Sequence, residues 1–173
     1  APTGGTATFK FCYATVTLQT NFGVTDNEFG PTNRSFLQSV VLPNGKTWTF
    51  EYNSRDPGDP PNINYGDLTK ITFPTGGTLS YTWTTRGICS AGLMPVSRWV
   101  ASRTLDANDG SGPKTWTYGW EAAGVNTHVV TDPLLNDTVH TITGLGGGCS
   151  LYETEVKLYQ GSRISGTLLK TVK

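Results

Sequence analysis

Charged side chains are scarce in this chain, at 15% of its 173 residues, and the 13 acidic and 13 basic groups cancel. A balanced charge excludes the concentrated positive field that phosphate backbones require, so nucleic acid is not an expected partner. It also removes the usual attraction to an anionic membrane surface. No apolar run approaches the roughly 20 residues of a spanning helix, and no membrane insertion is expected. The two histidines and three cysteines form no C-x-x-C or H-x-x-x-H pair, which leaves too few clustered ligands for a metal centre. No G-x-G-x-x-G opens a helix and no P-loop occurs, so no nucleotide cofactor is expected. No serine or cysteine has the setting of a nucleophile elbow, and no segment carries the period of an amphipathic helix.

What the chain has instead is glycine, threonine and aromatic residues, with 21 Gly and 11% Phe, Tyr and Trp. This is the profile of extracellular β proteins. The start at Ala1-Pro2-Thr3 fits a processed secreted protein or an excised segment, so a secreted or cell-surface location is expected. The length suits one β domain over residues 1–173.

Period-two alternation predicts strands near Thr8–Gln19, Phe36–Leu42, Thr47–Tyr52, Leu68–Phe73, Thr78–Thr84, Arg98–Leu105, Lys114–Trp120, Thr127–Thr131, Thr138–Thr143, Tyr152–Gln160 and Gly166–Val172. Turn residues separate them at Asn44-Gly45, Thr75-Gly76-Gly77, Asn108-Asp109-Gly110 and Gln160-Gly161-Ser162. Short strands joined by tight turns predict an all-β fold, an antiparallel sheet or sandwich built from repeated hairpins. Asn53–Asn64, with Pro57, Pro60 and Pro61, reads as a surface loop. The first strand, Thr8–Gln19, is a candidate for pairing with an exposed sheet edge.

Three segments share one template. Lys46-Thr47-Trp48-Thr49-Phe50-Glu51-Tyr52 matches Lys114-Thr115-Trp116-Thr117-Tyr118-Gly119-Trp120, and Gly77-Thr78-Leu79-Ser80-Tyr81-Thr82-Trp83 follows the same pattern. In an extended chain the bulky residues fall on one face and the hydroxyl residues on the other. The match extends upstream, because Leu42-Pro43-Asn44-Gly45 aligns with Phe73-Pro74-Thr75-Gly76 at a spacing of 31 residues. Such a unit cannot bury its apolar face alone and must join neighbours, which points to a scaffold.

The unit Tyr65-Gly66-Asp67-Leu68 through Phe73-Pro74-Thr75-Gly76-Gly77 to Tyr81-Thr82-Trp83 resembles the RHS/YD repeat. Thr131-Asp132-Pro133-Leu134-Leu135-Asn136 is similar to that family's T-D-P-x-G-N connection, with Leu135 where glycine is usual. The resemblance spans roughly residues 37–173, and residues 1–35 lie outside it. It implies long secreted proteins whose repeats spiral into a β shell, and no catalytic residues for the repeat itself. On this reading the chain is not an enzyme but a structural protein that pairs with itself or with neighbouring β repeats in a shell, surface layer or filament.

The aromatic rows Trp48, Phe50, Tyr52; Tyr81, Trp83; and Trp116, Tyr118, Trp120 admit two readings: a core or cross-strand ladder, or a platform on which a polysaccharide stacks. The second makes the chain a carbohydrate-binding module, with Trp83, Trp99 and Trp120 the most exposed. A glycosidase would need two carboxylates flanking such a face, and Glu51 points away from it. Glu153, Glu155 and Lys157 read as one solvated face of a late strand. His128 and His140 are placed to face each other as a surface pair across a hairpin. Asp56–Asp59 and Asp106–Gly110 read as turns, with loose calcium loops the alternative. Of the cysteines, Cys89 and Cys149 in glycine-rich loops are the favoured disulfide pair, against three separate thiols.

Overall fold

The computed structural model describes residues 6–23, 28–87, 96–121, 127–144 and 151–173. Among them are eleven strands and no helix: β1 (Lys10–Leu18), β2 (Thr32–Val41), β3 (Thr47–Glu51), β4 (Lys70–Thr72), β5 (Thr78–Gly87), β6 (Val96–Asp106), β7 (Lys114–Trp120), β8 (Thr127–Thr131), β9 (Asp137–Gly144), β10 (Leu151–Gln160) and β11 (Thr167–Val172). Each strand neighbours the next in sequence, so the fold is one antiparallel sheet of successive hairpins. The expected antiparallel sheet is therefore present, and β7 and β8 begin and end where the alternation places them.

The strands gather into two compact units, residues 1–82 with 105–113, and residues 83–104 with 114–173. In the first, register separates the two kinds of residue the repeat alternates. Phe50, Ile71 and Leu79 stand opposite one another on β3, β4 and β5, and Thr49, Thr72 and Thr78 form the neighbouring row. Trp48 meets Phe73 edge to face at 5.2 Å. The long loop between β3 and β4 docks on the end of β1, where Gln19 and Asn64 exchange both backbone hydrogen bonds at 3.0 and 2.9 Å. This buries Ile63 and Ser54, so part of a segment expected on the surface is core.

The second unit holds Val129 and Val139 directly opposite each other and both buried, with Thr127 and Asp137 buried on the same face. Asp137 is satisfied there: its carboxylate accepts from Thr131 Oγ1 at 2.6 Å and from the Arg163 N–H at 2.9 Å. The opposite face carries Trp120, His128, His140 and Val156 in one cross-strand row.

Three of the hairpin turns are the same object. In Leu42–Lys46, Phe73–Gly77 and Asp132–Asn136 the first N–H donates to the fifth carbonyl at 2.8, 2.8 and 3.0 Å, and the fourth N–H to the first carbonyl at 2.9 Å in each. The fourth residue is left-handed every time, with φ of 79° at Gly45, 90° at Gly76 and 63° at Leu135. A proline-led turn followed by a left-handed residue is a standard three-residue hairpin connection. The repeat thus reaches the β8–β9 hairpin, with Leu135 filling a position suited to glycine.

Candidate functional site

The structure sorts the aromatic residues singled out by the alternation into half-buried ladders. Trp48, Phe50, Tyr52, Tyr81, Trp83, Trp116, Tyr118 and Trp120 are all partly covered, while Thr115, Thr117 and Gly119 between the β7 aromatics are exposed. Tyr52 packs on Phe36 with ring centroids 4.7 Å apart. Trp99 and Trp120, expected among the most exposed, pack edge to face at 5.1 Å and are half-buried. The Arg103 guanidinium lies 4.1 Å from the centre of the Trp116 ring, and that of Arg86 lies 5.7 Å from Trp120. Cation–π contacts of this kind cover faces that a stacked sugar would need.

From Trp120 the row continues through His128, whose ring lies 5.2 Å away, to His140 at a further 6.1 Å. His140 donates through Nδ1 to Glu153 Oε2 at 2.5 Å. Burial holds the His128 imidazole below its ordinary value of 6.5, and the neighbouring His140 and Arg86 add to the effect. Glu153 reaches this face because β10 carries a bulge: Glu153 opposes Ile142 but Glu155 opposes Thr141, with Thr154 the extra residue. The expectation that Glu153, Glu155 and Lys157 share one face is corrected by that inserted residue. Glu155 pairs instead with Lys157 at 2.6 Å.

The most exposed aromatic row among the described residues is elsewhere, on the first strand, whose aromatics the repeat template does not include. Phe9, Phe11 and Tyr13 alternate into and along β1 with 52%, 60% and 62% of their surface open. Among the described residues β1 pairs with β2 on one side, and on the other its residues 10–18 meet no strand, the only backbone pairing there being the Gln19–Asn64 bridge just past its end. The pairing with β2 shifts register between Cys12 and Tyr13, but the extra residue, Gln38, belongs to β2, so β1 itself runs unbroken for nine residues. Its single charge is Lys10 and it has no proline. Edge strands are ordinarily blunted by bulges, lysines or proline, and β1 has almost none of these. β11, the other terminal strand, contrasts with it: its bulge lies on the edge strand itself at Leu169, and it carries Lys170.

Other expected sites resolve into turns. Asp106 and Asp109 accept from the N–H groups of Asn108 and Ser111 at 2.8 and 2.9 Å, and Asp59 accepts from that of Asp56 at 2.9 Å. Among the described residues no group of three or more His, Cys, Asp or Glu is placed to hold a metal ion. Cys12 is an exposed free thiol, and Cys89 and Cys149 lie outside the described residues. Among the described residues no helix is long and apolar enough to cross a membrane. Comparison with known proteins finds no family model, no curated protein and no solved structure that matches this chain.

Proposed function

We propose that this chain is a non-catalytic structural β protein of the extracellular space, built from RHS/YD-like hairpins, that associates through β1 with a second copy of itself. The observation that carries the reading is the edge of β1: nine unbulged residues that meet no second strand among the described residues, with exposed Phe9 just before them and exposed Phe11 and Tyr13 within them. An unpaired edge offers a row of N–H and C=O groups, and exposed aromatics add apolar area to whatever pairs with it. Antiparallel pairing of two β1 strands about a two-fold axis uses the same surface twice and sets the two Lys10 side chains at opposite ends of the joint. The bulge and lysine on β11 disfavour growth at that edge. On this reading edge association closes at a pair, and a shell, surface layer or filament would be built from such pairs through contacts other than their sheet edges.

A polysaccharide platform on the Trp116–Trp120 row has less support, because Arg103, Trp99 and His128 already occupy those rings. Light scattering after size exclusion tests the association directly. The native chain is expected to show twice its 18.6 kDa mass at high concentration, and the double variant Phe11→Lys, Tyr13→Lys the monomer mass with an unchanged β circular dichroism spectrum. A native chain that stays monomeric at millimolar concentration overturns the reading.

A further inference from the structure

The loop that docks on the end of β1 encloses a polar cleft of about 350 Å³, lined by Thr17, Asn53, Arg55, Asn62, Ile63 and Asn64, with Pro61 at its side. That volume is at the lower end of small-molecule sites, which are usually apolar. Here the lining is amides, a hydroxyl and a guanidinium, and it contains no carboxylate.

The floor of the cleft is fixed by its own hydrogen bonds. Asn64 donates its amide to the Tyr52 carbonyl at 2.9 Å and accepts from the Gly66 N–H at 2.9 Å, so its side chain is spent on structure. Ile63 is buried beneath, with its N–H on the Pro60 carbonyl at 3.0 Å. Thr17 gives its proton to Asn33 at 2.8 Å and keeps lone pairs to accept with. Asn53 accepts from Thr69 through Oδ1 and keeps its two N–H donors. Asn62 donates to Gln19 at 3.0 Å and keeps Oδ1 as an acceptor. Arg55 has no hydrogen-bond or ion-pair partner among the described residues, which leaves all five of its donors.

The remaining capacity is one cation with a planar donor fork, one amide donor pair, and acceptors on Asn62 and Thr17. A guanidinium fork matches a carboxylate bidentately, and neighbouring amide and hydroxyl groups match vicinal hydroxyls. The exposed Pro61 ring supplies an apolar face against which the C–H side of a sugar ring can lie. We propose that this cleft binds a carboxylated sugar, a hexuronic acid unit of an acidic polysaccharide, with Arg55 on the carboxylate and Asn53, Asn62 and Thr17 on the ring hydroxyls. The cleft borders the β1 edge through Thr17, but all its lining residues belong to one chain, so it needs no second copy.

The test is calorimetric or NMR titration of the full chain with glucuronate, glucose and acetate. Glucuronate is expected to bind in the millimolar range or tighter, glucose at least tenfold more weakly, and acetate more weakly still. Arg55→Gln is expected to weaken glucuronate at least tenfold, and Asn62→Asp to do the same by placing a like charge in the cleft, both with unchanged thermal melting. The double variant Phe11→Lys, Tyr13→Lys should bind as the native chain does. No glucuronate binding at tens of millimolar, equal binding of glucose, acetate binding as tight as glucuronate, or an Arg55→Gln variant that binds normally would each overturn the proposal.

Discussion

The N–H of Leu135 donates to the carbonyl of Asp132 at 2.9 Å, and to make that bond Leu135 holds a left-handed φ of 63°. Gly45 and Gly76 hold the same position in the two sibling turns. A side chain in that region costs about 1–2 kcal/mol, and Leu135 recovers little by packing, since 71% of it is exposed. Leu135→Gly should therefore raise unfolding free energy by about 0.5–1 kcal/mol after the greater chain entropy of glycine is subtracted. Leu135→Ala keeps the strain and should change stability by less than about 0.5 kcal/mol. Denaturant midpoints for the two variants check this; equal shifts would show that no strain is stored there.

The same aspartate gives the turn an acid response. Partial desolvation pulls the Asp132 carboxyl up, but hydrogen bonds from the Asn136 side chain and from the Asn136 and Leu134 N–H groups outweigh it and hold the group below its ordinary value of 3.8. A depressed carboxylate contributes stability above its unfolded value that is lost as pH falls through the folded one. Asp132→Asn should remove this part of the acid sensitivity below about pH 4, measured as the slope of the urea midpoint against pH.

A second pH response comes from His128. It faces Trp120 and Tyr118 on β7 and His140 on β9, with Arg86 of β5 near Trp120, so the fold favours the neutral ring. The unfolded chain then binds the proton more readily, and stability is full above about pH 6.5 and declines as pH falls below it. His128→Gln should flatten that decline between pH 7 and pH 5. An unchanged slope would show that His128 is not the titrating group.

Much of the fold was legible because the chain obeys period two almost everywhere. The rows Thr49–Thr72–Thr78 and Phe50–Ile71–Leu79 are what the repeat alternation implies once consecutive hairpins pair. What alternation cannot show is an inserted residue. Gln38, Thr154 and Leu169 each shift the register by one, and the second sends Glu153 and Glu155 to opposite faces. Nor does alternation separate an aromatic row in the middle of a sheet from one at its edge. Trp116–Trp120 and Phe9–Tyr13 read alike, and only strand order places the second beside solvent. The cleft at Arg55 was hidden for a different reason: it depends on Gln19 pairing with Asn64, a contact between a strand end and a proline-rich loop that no local pattern announces.

The two aromatic classes should separate on substitution. Trp120→Ala removes contacts to Trp99, His128 and Arg86 and should cost about 2–4 kcal/mol of stability. Phe11→Ser, at a residue 60% exposed, should cost less than about 1 kcal/mol yet lower the associated fraction. A Phe11→Ser variant that unfolds as readily as Trp120→Ala would place Phe11 in the core.

Asp137 should behave as a buried anchor. It is 5% exposed and accepts from Thr131 and from the Arg163 backbone, with the Arg163 guanidinium 3.9 Å away. Asp137→Ala is expected to cost about 2–3 kcal/mol, because two donors lose a charged acceptor. Arg163→Ala keeps both of those bonds and should cost about 1 kcal/mol, through the lost contact to Glu121. Thermal melts of both variants check the ranking.

Residue-resolved amide hydrogen exchange across β1 tests the edge pairing most directly. In a strand paired on one side, alternate amides point outward and exchange quickly. The outward amides of residues 10–18 are expected to become protected as protein concentration rises, while those facing β2 stay protected throughout. Outward amides that exchange at one fast rate across the whole concentration range would contradict association through β1.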